Sequence, residues 1–204
     1  MKGALLRLHA AVFIWGFTGV LGRAISLNEG WMVWWRMFIT TISLWILFYF
    51  LKSIRKISLK DFLKIAAVGT VLSLHWLTFY GSIKYANVSI ALTCLSTTGL
   101  LSAVIEPLFF RRKIDMYELM LGIFALAGIA LIYVTNLSFL TGIYIGLISA
   151  VLTVLVSVMN KKLIAGYAPE TITLYQLTGG FLGLSILLPV YKYLFPVREK
   201  MPQH

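Results

Sequence analysis

The sequence predicts an all-α membrane protein, a polytopic bundle of about seven transmembrane helices. Of its 204 residues, 60% are hydrophobic and only 12% are charged, whereas charged residues make up about a quarter of an ordinary soluble domain. A soluble fold would lack the polar residues to cover its outside. The hydrophobic residues also fall into long blocks separated by short charged segments. We therefore expect the lipid bilayer to surround most of this chain.

Seven blocks are long enough to be transmembrane helices, because about 20 apolar residues cross a hydrocarbon core roughly 30 Å thick. These spans are residues 4–25, 31–51, 62–80, 86–110, 116–135, 142–160 and 171–194. Helices are the expected structure of each block, since lipid offers no partners to exposed backbone groups. The first block resembles a secretory signal, but it is long and aromatic and more spans follow it, which favours a retained helix.

The positive charges are distributed unequally between the two sides of the membrane that these spans define. Twelve lysines and arginines lie on the side of the N-terminus and five on the other. The positive-inside rule therefore predicts a cytoplasmic N-terminus. The net charge of +11 is confined to short segments between spans. This arrangement is typical of anchoring at an anionic membrane face, and we predict no nucleic-acid partner.

An internal comparison suggests a repeat. The stretch "GALLRLHAAVFIWGFTGVLGRAI" from Gly3 aligns with "GIYIGLISAVLTVLVSVMNKKLI" from Gly142, and each is followed by a short loop with a glycine and an acid and then by another span. Five spans lie between the start of the first copy and the start of the second. Because five is odd, the second copy would enter the membrane from the opposite side. This is the pattern of an inverted-topology repeat. Few residues are identical across the offset, and chance similarity is the alternative.

The repeat predicts two units, a first five-helix repeat at residues 1–137 and an incomplete second repeat of two helices at residues 138–204. If the second repeat matched the first, three further spans would be expected after its second helix.

Ionisable side chains within spans are costly and therefore mark candidate functional positions; here they are Arg36, His75 and Glu106. We expect Glu106 and Pro107 to end the fourth helix, because proline disfavours helical geometry in the residue before it. One hypothesis makes Glu106 a structural acid, neutralised by the cations at 111–113 or by a neighbouring helix. The other makes it a gating or proton-coupling carboxylate.

The fourth span is unusually polar on two faces. At 100° per residue, one face holds Ser89, Thr93, Ser96 and Thr97, and nearly the opposite face holds Thr98, Ser102 and Glu106. We expect one face to line a pathway, although hydroxyl groups can also bond their own helix carbonyls.

Two further side chains leave a functional and a structural interpretation open. Trp15 lies mid-span beside Gly16 and is a candidate cavity residue or a core residue. His75, close to several aromatic residues, would contact a substrate or bond to a neighbouring helix. Small-residue pairs at GxxxG spacing, Gly142 with Gly146 and Gly179 with Gly183, predict close helix packing.

No catalytic or metal-binding constellation is present in the sequence. The three histidines have no metal-ligand spacing, no paired-carboxylate or HExxH site occurs, and no GxSxG elbow offers a nucleophile. The single cysteine, Cys94, excludes a disulfide framework within the chain. We therefore predict no catalytic residue, no metal and no cofactor, and a protein that is not an enzyme. A retinal-protein interpretation needs a lysine deep in the seventh span, and Lys192 lies near its end.

Taken together, these motifs resemble the EamA-like drug/metabolite transporters. The resemblance rests on "HAAVFIWGFTGVLGR" in the first span, "WWRMFITT" in the second, "FYGSIKYANVSIALTCLSTTGLLSAVIEP" across the third and fourth, and "LGIFALAGIALIYV" in the fifth. The resemblance implies a ten-helix carrier of two inverted five-helix repeats. It also implies movement of small metabolites such as amino acids, usually outward, across the bacterial cytoplasmic membrane by alternating access.

The resemblance carries over to particular residues. The implied substrate pathway consists of Trp15, Arg36, His75, Tyr80, Thr93 and Thr97, together with Tyr175 and Gln176, which fall where Arg36 would be in the second copy. Glu106 and Pro107 become gating or structural residues.

The implied partners are a small-molecule substrate and a proton or another coupling ion. Relative to the ten-helix pattern, helices eight to ten are missing, so a homo-oligomer or a completing chain is a further expected partner. The alternative function is a non-transporting membrane assembly subunit or an inactive truncated fragment.

Overall fold

The computed structural model of the protein describes residues 2–135 and 137–194, which form eight α-helices and one short 3-10 turn at Leu137–Phe139. The helices are α1 (Lys2–Ala24), α2 (Glu29–Phe50), α3 (Leu59–Tyr85), α4 (Val88–Ser96), α5 (Thr98–Phe110), α6 (Met116–Thr135), α7 (Leu140–Ile164) and α8 (Pro169–Leu194).

The predicted helical membrane bundle is confirmed. Six helical segments of the described residues are long and apolar enough to cross a membrane, with α4 and α5 together counting as one segment, and α6 contributes a shorter apolar stretch at Met116–Gly128. Each predicted span lies on one helix, except the fourth, which lies on α4 and α5. The helices are longer than the predicted spans in several cases, because polar residues at their ends extend them beyond the apolar block.

Three of the helix starts are fixed by polar N-caps. The side chain of Asn28 accepts a hydrogen bond from the backbone N–H of Gly30 at 2.8 Å, and that of Asn87 accepts one from Ile90 at 2.9 Å. Ser58 caps α3 by accepting from the backbone N–H of Asp61 at 3.1 Å. These side chains satisfy N–H groups that the first helical turn leaves without a partner, and they explain why α2, α3 and α4 begin where they do.

The fourth span, which the sequence predicts to be one helix ending at Glu106 and Pro107, breaks at Thr97. The backbone N–H of Thr97 bonds to the carbonyl of Cys94, three residues earlier, and the Thr97 hydroxyl donates to the same carbonyl at 2.6 Å. Such back-bonding by hydroxyl groups competes with the regular helical ladder and bends helices. The span is therefore two helices, α4 and α5, joined at a hydroxyl-rich turn.

Pro107 lies inside α5, which continues to Phe110. The helix ends at Arg111, whose backbone is left-handed with φ 51° and whose N–H bonds to the carbonyl of Pro107. A left-handed residue just past the last helical position is a common helix terminus. The end of this helix is thus set by Arg111, one turn after Glu106 and Pro107.

Helix α3 forms the centre of the bundle and packs against α7 and α8, while α2 also packs against α8 and α4 against α7. Close approach of α3 and α8 depends on glycine. A Cβ on Gly179 would overlap Ala66, and one on Gly183 would overlap the side chain of Thr70. The predicted role of this GxxxG pair in helix packing is confirmed. Helix α1 contacts α3 and α4 and leaves most of its apolar side chains exposed.

One end of the bundle, here called the Asn28 end, gathers the α1–α2, α3–α4 and α6–α7 connections and the end of α8. Ser82 donates a hydrogen bond to the carbonyl of Gly142 at 2.8 Å, and the Tyr191 hydroxyl bonds to the carboxylate of Glu29. Lys84 donates to the carbonyl of Ile25.

The opposite end, here called the Asp61 end, gathers the α2–α3, α5–α6 and α7–α8 connections. The Tyr167 hydroxyl donates to Asp61 at 2.6 Å, and the Tyr175 hydroxyl donates to the carbonyl of Arg55 at 2.9 Å. The hydrogen bond to Asp61 raises the pKa of the Tyr167 hydroxyl. Because successive spans alternate between the two ends, α1 and α7 run in opposite directions, as an inverted repeat requires; the repeat boundary itself stays a prediction.

Candidate functional site

A cavity of about 250 Å³ lies within the membrane-spanning part of the bundle, among α1, α2, α3 and α4. Its lining residues are Val12, Gly16, Thr18, Gly19, Arg36, His75, Trp76, Phe79, Tyr80, Leu92 and Leu95. The cavity thus brings together three of the predicted pathway residues, Arg36, His75 and Tyr80. Most of the remaining lining is apolar or aromatic. We call it the central cavity.

Arg36 supplies the positive charge of the central cavity. Its guanidinium donates a hydrogen bond to the hydroxyl of Tyr80 and lies over the Trp76 ring, with Cζ 4.6 Å from the ring centroid. Within residues 2–135 and 137–194 the ion pairs join Lys64 to Asp61 and Lys161 to Glu106. Arg36 therefore has no acidic partner in the described part of the chain.

His75 lines the same cavity and is bonded to the neighbouring helix α7, as one of the two interpretations expects; its contact with a substrate stays a prediction. Its Nδ1 lies 3.1 Å from the carbonyl oxygen of Ser149, 2.9 Å from the Ser149 hydroxyl and 2.8 Å from the Thr153 hydroxyl. A carbonyl oxygen only accepts hydrogen bonds, so this network assigns the proton to Nδ1. In the neutral ring Nε2 is then an acceptor, and it makes no hydrogen bond to the residues that the structure describes.

A second cavity, of about 360 Å³, adjoins the central one. It extends towards the Asn28 end, where Ile25 and Leu27 line it, and shares Thr18, Arg36 and Tyr80 with the central cavity. The hydrogen-bonded Arg36–Tyr80 pair thus stands between two spaces. A change in the position of either side chain would alter the passage between them.

Helix α1 packs against the Tyr80 ring at Gly22. A Cβ added at Gly22 would overlap Cδ1 and Cε1 of the ring, whereas one added at Gly16 would meet nothing within 4 Å. Gly22 is therefore required for the position of Tyr80, and Gly16 faces open space.

Glu106 lines a separate groove of about 670 Å³ near the Asp61 end, with Ser96, Ser102, Arg112 and Lys113 among the other lining residues. Its carboxylate is bonded to Lys161 of α7, with 2.5 Å between Oε2 and Nζ. Of the two partners expected for a structural Glu106, the cations at 111–113 or a neighbouring helix, the ion pair is therefore with the neighbouring helix.

The other predicted pathway residues do not line the central cavity. The Thr93 hydroxyl bonds to the Ser89 carbonyl at 2.8 Å, and Thr97 is buried at the α4–α5 break. On α4 the central cavity is lined by Leu92 and Leu95 instead. The pathway roles of the two threonines stay predictions.

The two residues from the second copy lie away from Arg36. The Tyr175 ring packs against Trp45 and Phe62 near the Asp61 end. Gln176 is buried at the α3–α8 contact, where its backbone carbonyl oxygen approaches Gly69. Trp15 lies on α1, and its side chain is outside the described residues. The roles proposed for all three are untested by these positions.

Sequence reasoning missed Ser149 and Thr153, the α7 residues that hold His75. Their spacing of four residues places both hydroxyls on one helix face, and this spacing is the feature of the sequence that could have identified them. What the sequence could not reveal is that this face meets α3 at His75.

The family model of the EamA-like transporter family matches residues 1–134, which include Arg36, His75, Tyr80 and Glu106. No curated protein and no solved structure matches the chain. The match spans well over half of the chain, and the apolar helices show a multi-pass membrane protein. The chain therefore belongs to the EamA-like transporter family and is a membrane transporter of the drug/metabolite superfamily.

Proposed function

We propose that the protein exports small metabolites, such as amino acids or related solutes, across the bacterial cytoplasmic membrane by alternating access. The observation that carries the proposal is the central cavity, where a cation, an imidazole and aromatic faces meet inside the membrane-spanning bundle. Binding sites for small solutes are typically concave, mostly apolar and equipped with a few polar groups. The transporter family supplies the class of activity.

The proposed mechanism uses the Arg36–Tyr80 pair as one gate. While the pair is hydrogen-bonded, it separates the central cavity from the cavity that extends to the Asn28 end. Solute that displaces the Tyr80 hydroxyl from Arg36 would release the partition and connect the two spaces. At the Asp61 end, the ion pair between Glu106 and Lys161 ties α5 to α7 and is the proposed second gate.

The proposed orientation places the Asp61 end and the N-terminus in the cytoplasm. It rests on the lysines and arginines, which are concentrated on that side of the chain and favour the cytoplasmic side of a membrane. Because Cys94, the single cysteine, is buried, introduced cysteines can be labelled selectively. An impermeant maleimide should label Leu27→Cys in intact cells and Lys56→Cys only after permeabilisation. The reverse pattern would overturn the orientation.

Solute flux tests the transport proposal. The full chain, reconstituted in proteoliposomes, should move at least one radiolabelled amino acid or related solute, with and without an imposed pH gradient to detect proton coupling. Arg36→Gln should abolish this flux, and Arg55→Gln, a change of an exposed arginine outside both cavities, should leave it intact. Absence of flux together with a stable copurifying partner would favour an assembly subunit instead.

A further inference from the structure

We propose that the central cavity recognises its solute by a single carboxylate bound to Arg36, with the rest of the solute lying against the apolar walls. This inference rests on the proposed function, because it takes the central cavity to be the solute site. It names the chemical class that the site selects: small monocarboxylates with a largely apolar remainder.

The first argument is the uncompensated charge of Arg36. A charged group inside a membrane span is costly and is normally paired, and a partly buried cation such as Arg36 attracts an anion more strongly than one in water does. The described residues offer Arg36 a phenol hydroxyl and an aromatic face but no carboxylate. A carboxylate that enters with the solute would complete the pair.

The second argument is the geometry that Tyr80 and Trp76 impose on the guanidinium. The guanidinium lies over the Trp76 ring, with Cζ 4.6 Å from the ring centroid, and is hydrogen-bonded to Tyr80 through Nη1. A guanidinium has five N–H donors, and a single side-chain hydrogen bond to the described residues leaves donors for both oxygens of a carboxylate. Because the guanidinium is already held in place before the solute enters, the entropy cost of binding both carboxylate oxygens is lower.

The third argument concerns what else the cavity offers. Arg36 is its one charged lining residue among those that the structure describes, so a second negative charge on the solute would be desolvated without a partner. Trp76, Phe79, Leu92 and Leu95 provide apolar walls. The Nε2 of His75, which has no hydrogen bond to the described residues, can accept one from a hydroxyl or ammonium group of the solute, but no acid is required for that contact.

Matched solutes test the inference directly. The full chain in lipid nanodiscs would be titrated calorimetrically with 4-methylpentanoate, leucine, leucinamide and 3-methylbutylamine, and with 3-phenylpropanoate and 2-phenylethylamine as an aromatic pair. Each set keeps the apolar part and changes the carboxylate. We expect the acids to bind at least about tenfold more tightly than the amide and the amines. A dicarboxylate, glutarate, should bind more weakly than the monocarboxylates.

Variants identify the residue that provides the preference. Arg36→Gln should remove the tighter binding of the acids. Arg36→Lys should retain part of it, since an ammonium keeps the charge but cannot bind both carboxylate oxygens as a planar guanidinium does. Arg55→Gln, a change of an exposed arginine outside both cavities, serves as the control and should keep the preference. The comparison of acids with amides on the unaltered chain does not depend on the variants folding.

Equal binding of acids and amides, binding of none of the acids, or an undiminished acid preference in Arg36→Gln would each overturn the inference. The same solutes in the flux assay separate it from the transport proposal. Flux without acid preference would leave transport standing and refute the carboxylate anchor. Acid-selective binding without flux of any solute would support the anchor and refute transport.

Discussion

At the scale of single residues, the central cavity shows two ways of keeping a polar side chain within a membrane span. His75 has its Nδ1 side satisfied by two hydroxyls and a carbonyl of α7. Arg36 is held by the Tyr80 hydroxyl and the Trp76 ring, and its other guanidinium N–H donors have no side-chain acceptor among the described residues. The first arrangement fixes a ring and links two helices, whereas the second keeps a charge available for an anion. We infer that His75 holds α3 against α7 and that Arg36 binds the carboxylate of the solute.

The linkage through His75 predicts unequal effects for two threonines. The Thr153 hydroxyl contacts Nδ1 of His75 across the α3–α7 contact, so Thr153→Val should lower the free energy of unfolding by about 1 kcal/mol, within the range of hydrogen bonds between membrane helices. Thr78→Val removes a hydroxyl that bonds carbonyls of its own helix and should cost less than about 0.5 kcal/mol. Chemical unfolding in detergent micelles measures both, and equal losses would contradict the linkage.

At the scale of elements, glycine decides where helices touch and where they leave space. On α1, Gly22 lies against the Tyr80 ring while Gly16 faces the open cavity. On α3 and α8, glycines allow backbone atoms of the two helices to meet. The same residue type therefore has different consequences at different positions, and substitution can separate them.

Gly22→Ala is expected to disturb the partition between the two cavities. The added methyl group would overlap the Tyr80 ring, so either Tyr80 moves away from Arg36 or α1 shifts outward. Overpacking of this kind costs about 1–3 kcal/mol, and solute flux should change with it. Gly3→Ala, on the same helix but outside both cavities, should leave both flux and stability near their original values, since no atom of the described residues lies within 4 Å of its added Cβ. Identical flux in the two variants would show that Gly22 does not act through Tyr80.

Gly69→Ala should be among the most destabilising single methyl additions. Its Cβ would overlap the backbone of α8 at Gln176 and Gly180, and backbone atoms cannot turn aside as a flexible side chain can. We expect a loss of about 2–3 kcal/mol or failure to accumulate in the membrane. Gly99→Ala, also within a helix but with open space around its Cβ, is the matched control. A thermal midpoint that is the same in both proteins would argue against tight α3–α8 packing.

At the scale of the whole molecule, the two ends of the bundle are closed differently. The Asn28 end is held by hydrogen bonds to backbone carbonyls and by the Tyr191–Glu29 contact. The Asp61 end is held largely by side chains near the surface, including the ion pair of Glu106 with Lys161. Half-exposed ion pairs contribute little to stability, which makes this contact easy to open.

Glu106→Gln should therefore alter transport more than stability. Loss of the ion pair should change the free energy of unfolding by less than about 1 kcal/mol, while the flux of a transported solute should change because α5 and α7 are no longer tied. Lys161→Gln should have the same effect on flux, and the double variant should add nothing further. Lys60→Gln, at an exposed position of the same end, is the control.

An unchanged flux accompanied by a loss of stability in Glu106→Gln would assign the acid a structural role only. A double variant whose effect equals the sum of the single ones would show that the two residues act independently.

The composition and the spacing of apolar blocks determined the fold class, the spans and the alternation of helix directions, because the bilayer imposes one length and one secondary structure on each block. The cost of burying ionisable groups singled out Arg36, His75 and Glu106. The tertiary structure alone decided which of them meet. The contact of Glu106 with Lys161, the hold of Ser149 and Thr153 on His75, and the placement of Arg36 beside Tyr80 all join residues far apart in the chain. Helical periodicity fixes which face a residue occupies on its own helix, but only packing decides which neighbour that face meets.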